Sequence, residues 1–68
     1  MHPADEPFDV LFIRTQGRGH IGPLGVEAVD RESAIAKAFT YCGVPPADIR
    51  AVQVWRFHEG RPVLVETP

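Results

Sequence analysis

One capped amphipathic segment, Asp30 to Gly43, divides this chain and limits what it can fold into. Asp30 has the short carboxylate that suits a helix N-cap, and Glu32 in the following turn favours the positive end of the helix dipole. From Arg31 to about Cys42, the residues Ala34, Ile35, Ala38, Phe39 and Cys42 recur at steps of three and four, while Arg31, Glu32 and Lys37 fall off that stripe. Gly43 supplies a left-handed residue past the end, and Pro45-Pro46 make continuation of the helix unfavourable. Everything else of regular character reads as strand.

Ahead of the helix, Phe8 to Thr15 is rich in β-formers, with apolar residues on both parities: Phe8, Val10 and Phe12 against Leu11 and Ile13. A strand that is apolar on both faces belongs in the middle of a sheet. Gln16 to Pro23 holds three glycines and a proline and predicts a loop, after which Leu24 to Val29 alternates as a second strand with Leu24, Val26 and Ala28 on one face. Beyond the helix, Ala47-Asp48-Ile49 predicts a short turn. Arg50 to His58 then alternates, Glu59-Gly60 signals a tight turn, and Pro62 to Glu66 completes a hairpin whose proline suits an edge strand. Met1 to Pro7, with two prolines and two acids, predicts a flexible tail before a single domain over residues 8–68.

The order ββαββ has a natural solution. Two hairpins joined by a right-handed crossover give an α+β domain with a four-stranded antiparallel sheet of order 2-1-3-4. A helix of about three turns spans roughly 18 Å and covers one face of such a sheet, leaving the other open. The apolar set Val10, Phe12, Val26, Val52, Val54, Val63 and Val65 predicts the helix side. The opposite set mixes Leu11, Ile13, Val29, Trp55, Phe57 and Leu64 with Glu27, Gln53 and Glu66, a partly solvated pattern. An uncovered apolar surface of that extent implies an interface.

Composition restricts the function classes. Seven Lys+Arg against nine Asp+Glu give a formal charge of −2, which disfavours both a strongly basic nucleic-acid module and a heavily acidic DNA mimic. At 68 residues the core is small, and the single Cys42 forms no internal disulfide, so extra stabilisation is expected from a partner or from self-association. No stretch reaches the roughly 18 apolar residues of a membrane span, and the N-terminus lacks a signal-peptide pattern; a cytoplasmic location is expected.

Several motifs carry chemistry elsewhere. Gly17-Arg-Gly-His-Ile-Gly22 has the dinucleotide-fingerprint letters, but Pro23 and a strand follow where a phosphate-binding helix should start, so a hairpin loop is expected and no cofactor. His20 and His58 fall on separate turns without metal-ligand spacing, and Cys42 on the apolar stripe reads as a buried, inert thiol. With no serine elbow, paired carboxylates or P-loop, a non-catalytic binding function is expected. Leu11, Ile13, Trp55, Phe57 and Leu64 are the candidate partner-binding residues, with Arg14, Arg18 and His20 steering or orienting the contact. Trp55, Phe57, Arg56 and Arg14 also suggest base stacking by a single-stranded nucleic acid, and a structural homodimer hiding the same face is a further alternative.

The junction Val26-Glu-Ala-Val-Asp30 leading into Glu32-Ser-Ala-Ile-Ala-Lys-Ala38, followed by a hairpin closed at Glu59-Gly60, resembles two kinds of small domain. In length and element order the chain resembles phage anti-CRISPR proteins, and in layout it is similar to the archaeal ribosomal protein LX. The first resemblance implies an inhibitor that docks on a CRISPR-Cas subunit or a similar nucleoprotein complex without catalysis; it assigns no residue.

Overall fold

The computed structural model describes residues 4–15 and 19–65. Its elements are β1 (Glu6–Arg14), β2 (His20–Ala28), α1 (Arg31–Cys42), a 3-10 turn (Pro46–Asp48), β3 (Ile49–His58) and β4 (Arg61–Leu64). The four strands form one antiparallel sheet of order β2-β1-β3-β4, the α+β arrangement expected from the two hairpins. Central placement of β1 follows from its two-sided apolar pattern.

Both helix ends are built as their residues dictate. Asp30 is extended and its Oδ1 accepts from the Ser33 amide at 2.8 Å, which holds the Asp30 carboxyl below the ordinary aspartate range. Gly43 adopts φ 67° and donates its amide to the Phe39 carbonyl at 3.1 Å, closing the last turn. Residues Ala34 and Ala38 are fully buried, so the helix backbone approaches the sheet closely. Phe8, Val10, Phe12, Val26, Ala28 and Val54 complete the buried core from the strand side. Phe12 and Phe39 lie at 4.5 Å between ring centroids, tilted by 40°, a geometry that adds about 0.5–1.5 kcal/mol to the burial of the two rings. Cys42 is half-buried at the margin of this core rather than enclosed by it.

Several boundaries differ from the sequence expectation. Glu6 and Pro7, expected in the tail, extend β1 because β2 is long enough to pair with them: Glu6 faces Ala28 and Pro7 faces Glu27. Strand β2 begins at His20, four residues before the expected start, and absorbs most of the described end of the glycine-rich stretch. Pairing resumes at Ile21 beyond Gly22 and Pro23, because β2 is an edge strand and a register shift between Val10 and Phe12 accommodates these two residues. Gly22 stands at φ 107°, and a Cβ there would lie 2.7 Å from the Val10 carbonyl oxygen and 2.8 Å from the Leu24 amide nitrogen. Only glycine fits that approach. Val29, placed in a strand by its alternation, lies beyond β2 and is exposed.

Ile49, read as turn, opens β3, after the 3-10 turn that receives the end of β1: the Thr15 amide donates to the Asp48 carbonyl at 2.8 Å and the Thr15 hydroxyl to the Ala47 carbonyl at 3.2 Å. At the second hairpin, Glu59 and Gly60 take φ of 52° and 77°, the pair of positive values that a two-residue turn of the I′ type requires. β4 starts at Arg61 and ends at Leu64, with the ladder carried one step further by the Val65 amide on the Val54 carbonyl at 2.7 Å. Val63, expected beneath the helix, is 44% exposed. It shares its face with Arg56, its cross-strand partner, on the edge strand farthest from β2, over which the helix mainly lies.

Candidate interaction face

Cross-strand register places the side chains opposite α1 in rows. Gly25, Asp9, Trp55 and Leu64 line up across β2, β1, β3 and β4, so Trp55 lies between Asp9 and Leu64 near the middle of the sheet. In the next rows Leu11 pairs with Gln53, and Ile13 lies between His20 and Ala51. Phe57 pairs with Pro62 towards the opposite end. The structure therefore brings Leu11, Ile13, Trp55, Phe57 and Leu64 onto one face, as their parity predicts.

Burial is graded across this face. Leu11, Ile13, Gln53 and Trp55 are half-buried, because their neighbours on adjacent strands shield their flanks, whereas Phe57 and Leu64 are 43% and 39% exposed. Asp9, Leu11, Pro23, Trp55 and Pro62 line a shallow concavity of about 290 Å³. Three of these residues were not picked out by the sequence reading. Asp9 shares the parity of Leu11 and Ile13, so its place was available from the alternation. Pro23 and Pro62 were read only as backbone devices, and their side chains reach the concavity through a strand pairing that the sequence does not display.

Charge on the face is unevenly spread. Asp9 lies in the Trp55 row and Glu27 beyond it beside Pro7, while His20 pairs with Ile13 towards the other end. His20 thus stands on a strand and not on the expected loop. Arg14 ends β1 where the β1–β3 register shifts, and it is exposed. Arg18 lies outside the described residues. Arg56 belongs to the helix side, where its guanidinium is 3.9 Å from the Glu6 carboxylate. His58 pairs with Arg61 at the far end of the sheet from His20, so the register separates the two histidines. Among the described residues no three His, Cys, Asp or Glu side chains converge on a metal-sized site.

The sheet edges contrast with this face. On β2, Pro23 has no amide to offer, and the Glu27 carbonyl accepts from the Lys37 ammonium of α1. β4 is four residues long, and its Pro62 pairs with Phe57 one step beyond the tight turn. That step is a non-hydrogen-bonded pair, so the proline nitrogen points away from β3, where an added strand would need a donor. Both edges are blunted against strand addition.

Among the described residues no helix is long and apolar enough to cross a membrane. Compared with protein-family models, with curated proteins and with solved structures, the chain matches none.

Proposed function

We propose that this chain is a non-catalytic, cytoplasmic protein-binding module that docks through the sheet face opposite α1. The observation that carries it is the joint placement of Leu11, Ile13, Trp55, Phe57 and Leu64 on the uncovered face of a sheet whose two edges are blunted. The partner we infer presents apolar side chains to the Trp55 concavity and a lysine or arginine to Asp9 and Glu27. Aromatic anchors in such a patch commonly supply most of the binding energy, and charge complementarity at its rim sets orientation and encounter rate.

Three strands spaced at about 4.8 Å with six to seven residues each, and β4 with four, give a face of roughly 370–400 Å². That is half the roughly 800 Å² per partner of a standard stable interface and matches a transient contact. Inhibition of a nucleoprotein complex such as a CRISPR effector, the finer expectation from element order, would use the same face. Base stacking is less favoured by the arrangement, because Asp9 and Glu27 share the aromatic face while Arg56 is turned to the helix side and paired with Glu6.

A photo-crosslinking residue at position 57 should capture a single protein from host lysate, and Asp9→Lys should weaken capture at least fivefold. The same probe at position 41, on the outer side of α1 and 71% exposed in the native chain, should capture nothing in common. Trp55→Ser and Phe57→Ser should both abolish binding, the second without disturbing a half-buried residue. Equal capture from positions 41 and 57 removes the proposal. Sedimentation as a dimer that Phe57→Ser dissociates would give the face to a second copy instead, and salt-sensitive retention of a labelled oligonucleotide would give it to nucleic acid.

A further inference from the structure

On its other face the sheet is incompletely roofed. Helix α1 lies mainly over β2, so the start of β3 and the flank of the helix bound a cleft of about 530 Å³. Ile35 and Phe39 form one wall, Ile49 and Val52 the other, and two arginines, Arg31 and Arg50, stand among them. No acidic side chain lines this cleft among the described residues.

The arginines are placed by local structure. Arg31, Ile35 and Phe39 follow one another at intervals of four, which aligns them along one side of α1. Arg50 has the parity of Val52 and Val54, which puts it on the helix side; it is also the extra residue of a bulge, where Ile13 faces Ala51 and Arg14 faces Ile49, and that bulge brings Ile49 to the same side. Bulges re-aim side chains out of the ladder's alternation. Within the described residues the ion pair is Arg56 with Glu6, and neither cleft arginine has an acidic partner. The Arg31 Nε is buried and lacks a hydrogen-bond acceptor. That nitrogen is closed off from the cleft, so the terminal guanidinium nitrogens of half-buried Arg31 and of exposed Arg50 are the donors within reach of a ligand there.

From this geometry we infer that the cleft binds a small amphipathic anion, its apolar body lying between Ile35, Phe39, Ile49 and Val52 and its oxyanion head received by Arg31 and Arg50. The volume lies within the range of small-molecule sites, and guanidinium groups match carboxylate and phosphate oxygens in paired hydrogen bonds. This site is separate from the docking face: it lies on the helix side of the sheet.

Decanoate and decyl phosphate are suitable probes, titrated into isotopically labelled protein while the Arg31 Nε–H and the Ile35 and Ile49 methyl resonances are followed. Saturable shifts at these groups with either probe support the site, and the tighter probe identifies the head group. Arg31→Gln and Arg50→Gln should each weaken binding at least tenfold while keeping the spectrum of a folded domain. Decanol, equal in apolar length but uncharged, should bind at least tenfold more weakly. Phe57→Ser, on the other face, should bind as the natural chain does. No saturation by either anion at millimolar concentration overturns the inference, as does equal binding of decanol, full binding by both glutamine variants, or loss of binding in Phe57→Ser.

Discussion

Replacing Gly22 with alanine should destabilise this domain more than any other single-methyl addition to a described glycine. Two independent costs meet at that position. Its φ of 107° lies where side-chain-bearing residues are held only at about 1–3 kcal/mol. The added Cβ would meet the Val10 carbonyl oxygen at 2.7 Å and the Leu24 amide nitrogen at 2.8 Å, backbone atoms that move only if β1 and β2 part, and overpacking of that kind costs about 1–3 kcal/mol more. The sum is about 2–6 kcal/mol, against a total stability of about 3–10 kcal/mol for a chain this size. Gly60 is the control, since it also has positive φ, at 77°, but meets nothing within 4 Å, so Gly60→Ala should lose only about 1–2 kcal/mol. Urea unfolding followed by far-UV circular dichroism measures both variants with one m-value. If Gly22→Ala lies within 0.5 kcal/mol of Gly60→Ala, the close approach between β1 and β2 is not what selects glycine there.

Other perturbations test separate parts of the structure. Phe12→Ala removes a fully buried ring packed against Phe39 and should cost about 3–5 kcal/mol, read as loss of the thermal transition. Glu59→Asn should raise the unfolding midpoint by the equivalent of about 0.5–1 kcal/mol, because asparagine tolerates the positive φ that Glu59 holds at 52°. Asp30→Ala should lower the melting temperature. Because the Asp30 carboxyl is held below its ordinary range when folded, its stabilisation is present above the unfolded value and lost as pH falls through the folded one. The melting temperature of the natural chain should therefore drop relative to Asp30→Asn on acidification through and below the usual aspartate range, and an identical acid profile for the two would exclude Asp30 as the titrating cap. Lys37→Ala uncovers the Glu27 carbonyl on the β2 edge, and light scattering should show faster concentration-dependent association than for the natural chain.

Local chemistry made the helix and the second hairpin legible. Asp30, the Ala34–Ala38 spacing and Gly43 act within a few residues of themselves, so the helix limits follow from sequence order alone. Glu59-Gly60 is equally local. The glycine-rich stretch was not legible in this way. Glycine and proline permit a loop, but they also permit an irregular edge strand, and the choice depends on whether a neighbouring strand offers partners. With β1 present from Glu6, β2 pairs back to His20, which moves His20 from a loop to the sheet and makes Gly22 a packing residue.

The candidate face divides along the same line. Alternation in β1 and β3 was sufficient to put Leu11, Ile13, Trp55 and Phe57 together, because a strand's period of two fixes which side chains share a face. What alternation does not contain is lateral position. Pro23 and Pro62 reach the Trp55 concavity, Val63 escapes the helix, and Ile49 joins Arg50 and Arg31 in a cleft only because of register, a bulge and the lateral placement of α1. Sequence by itself determined one helix, four strands and a sheet with one uncovered side, since capping and periodicity operate over a few neighbouring residues. Tertiary structure alone decided how far β2 extends, which edges are closed and where the arginines meet, since those depend on contacts between segments far apart along the chain.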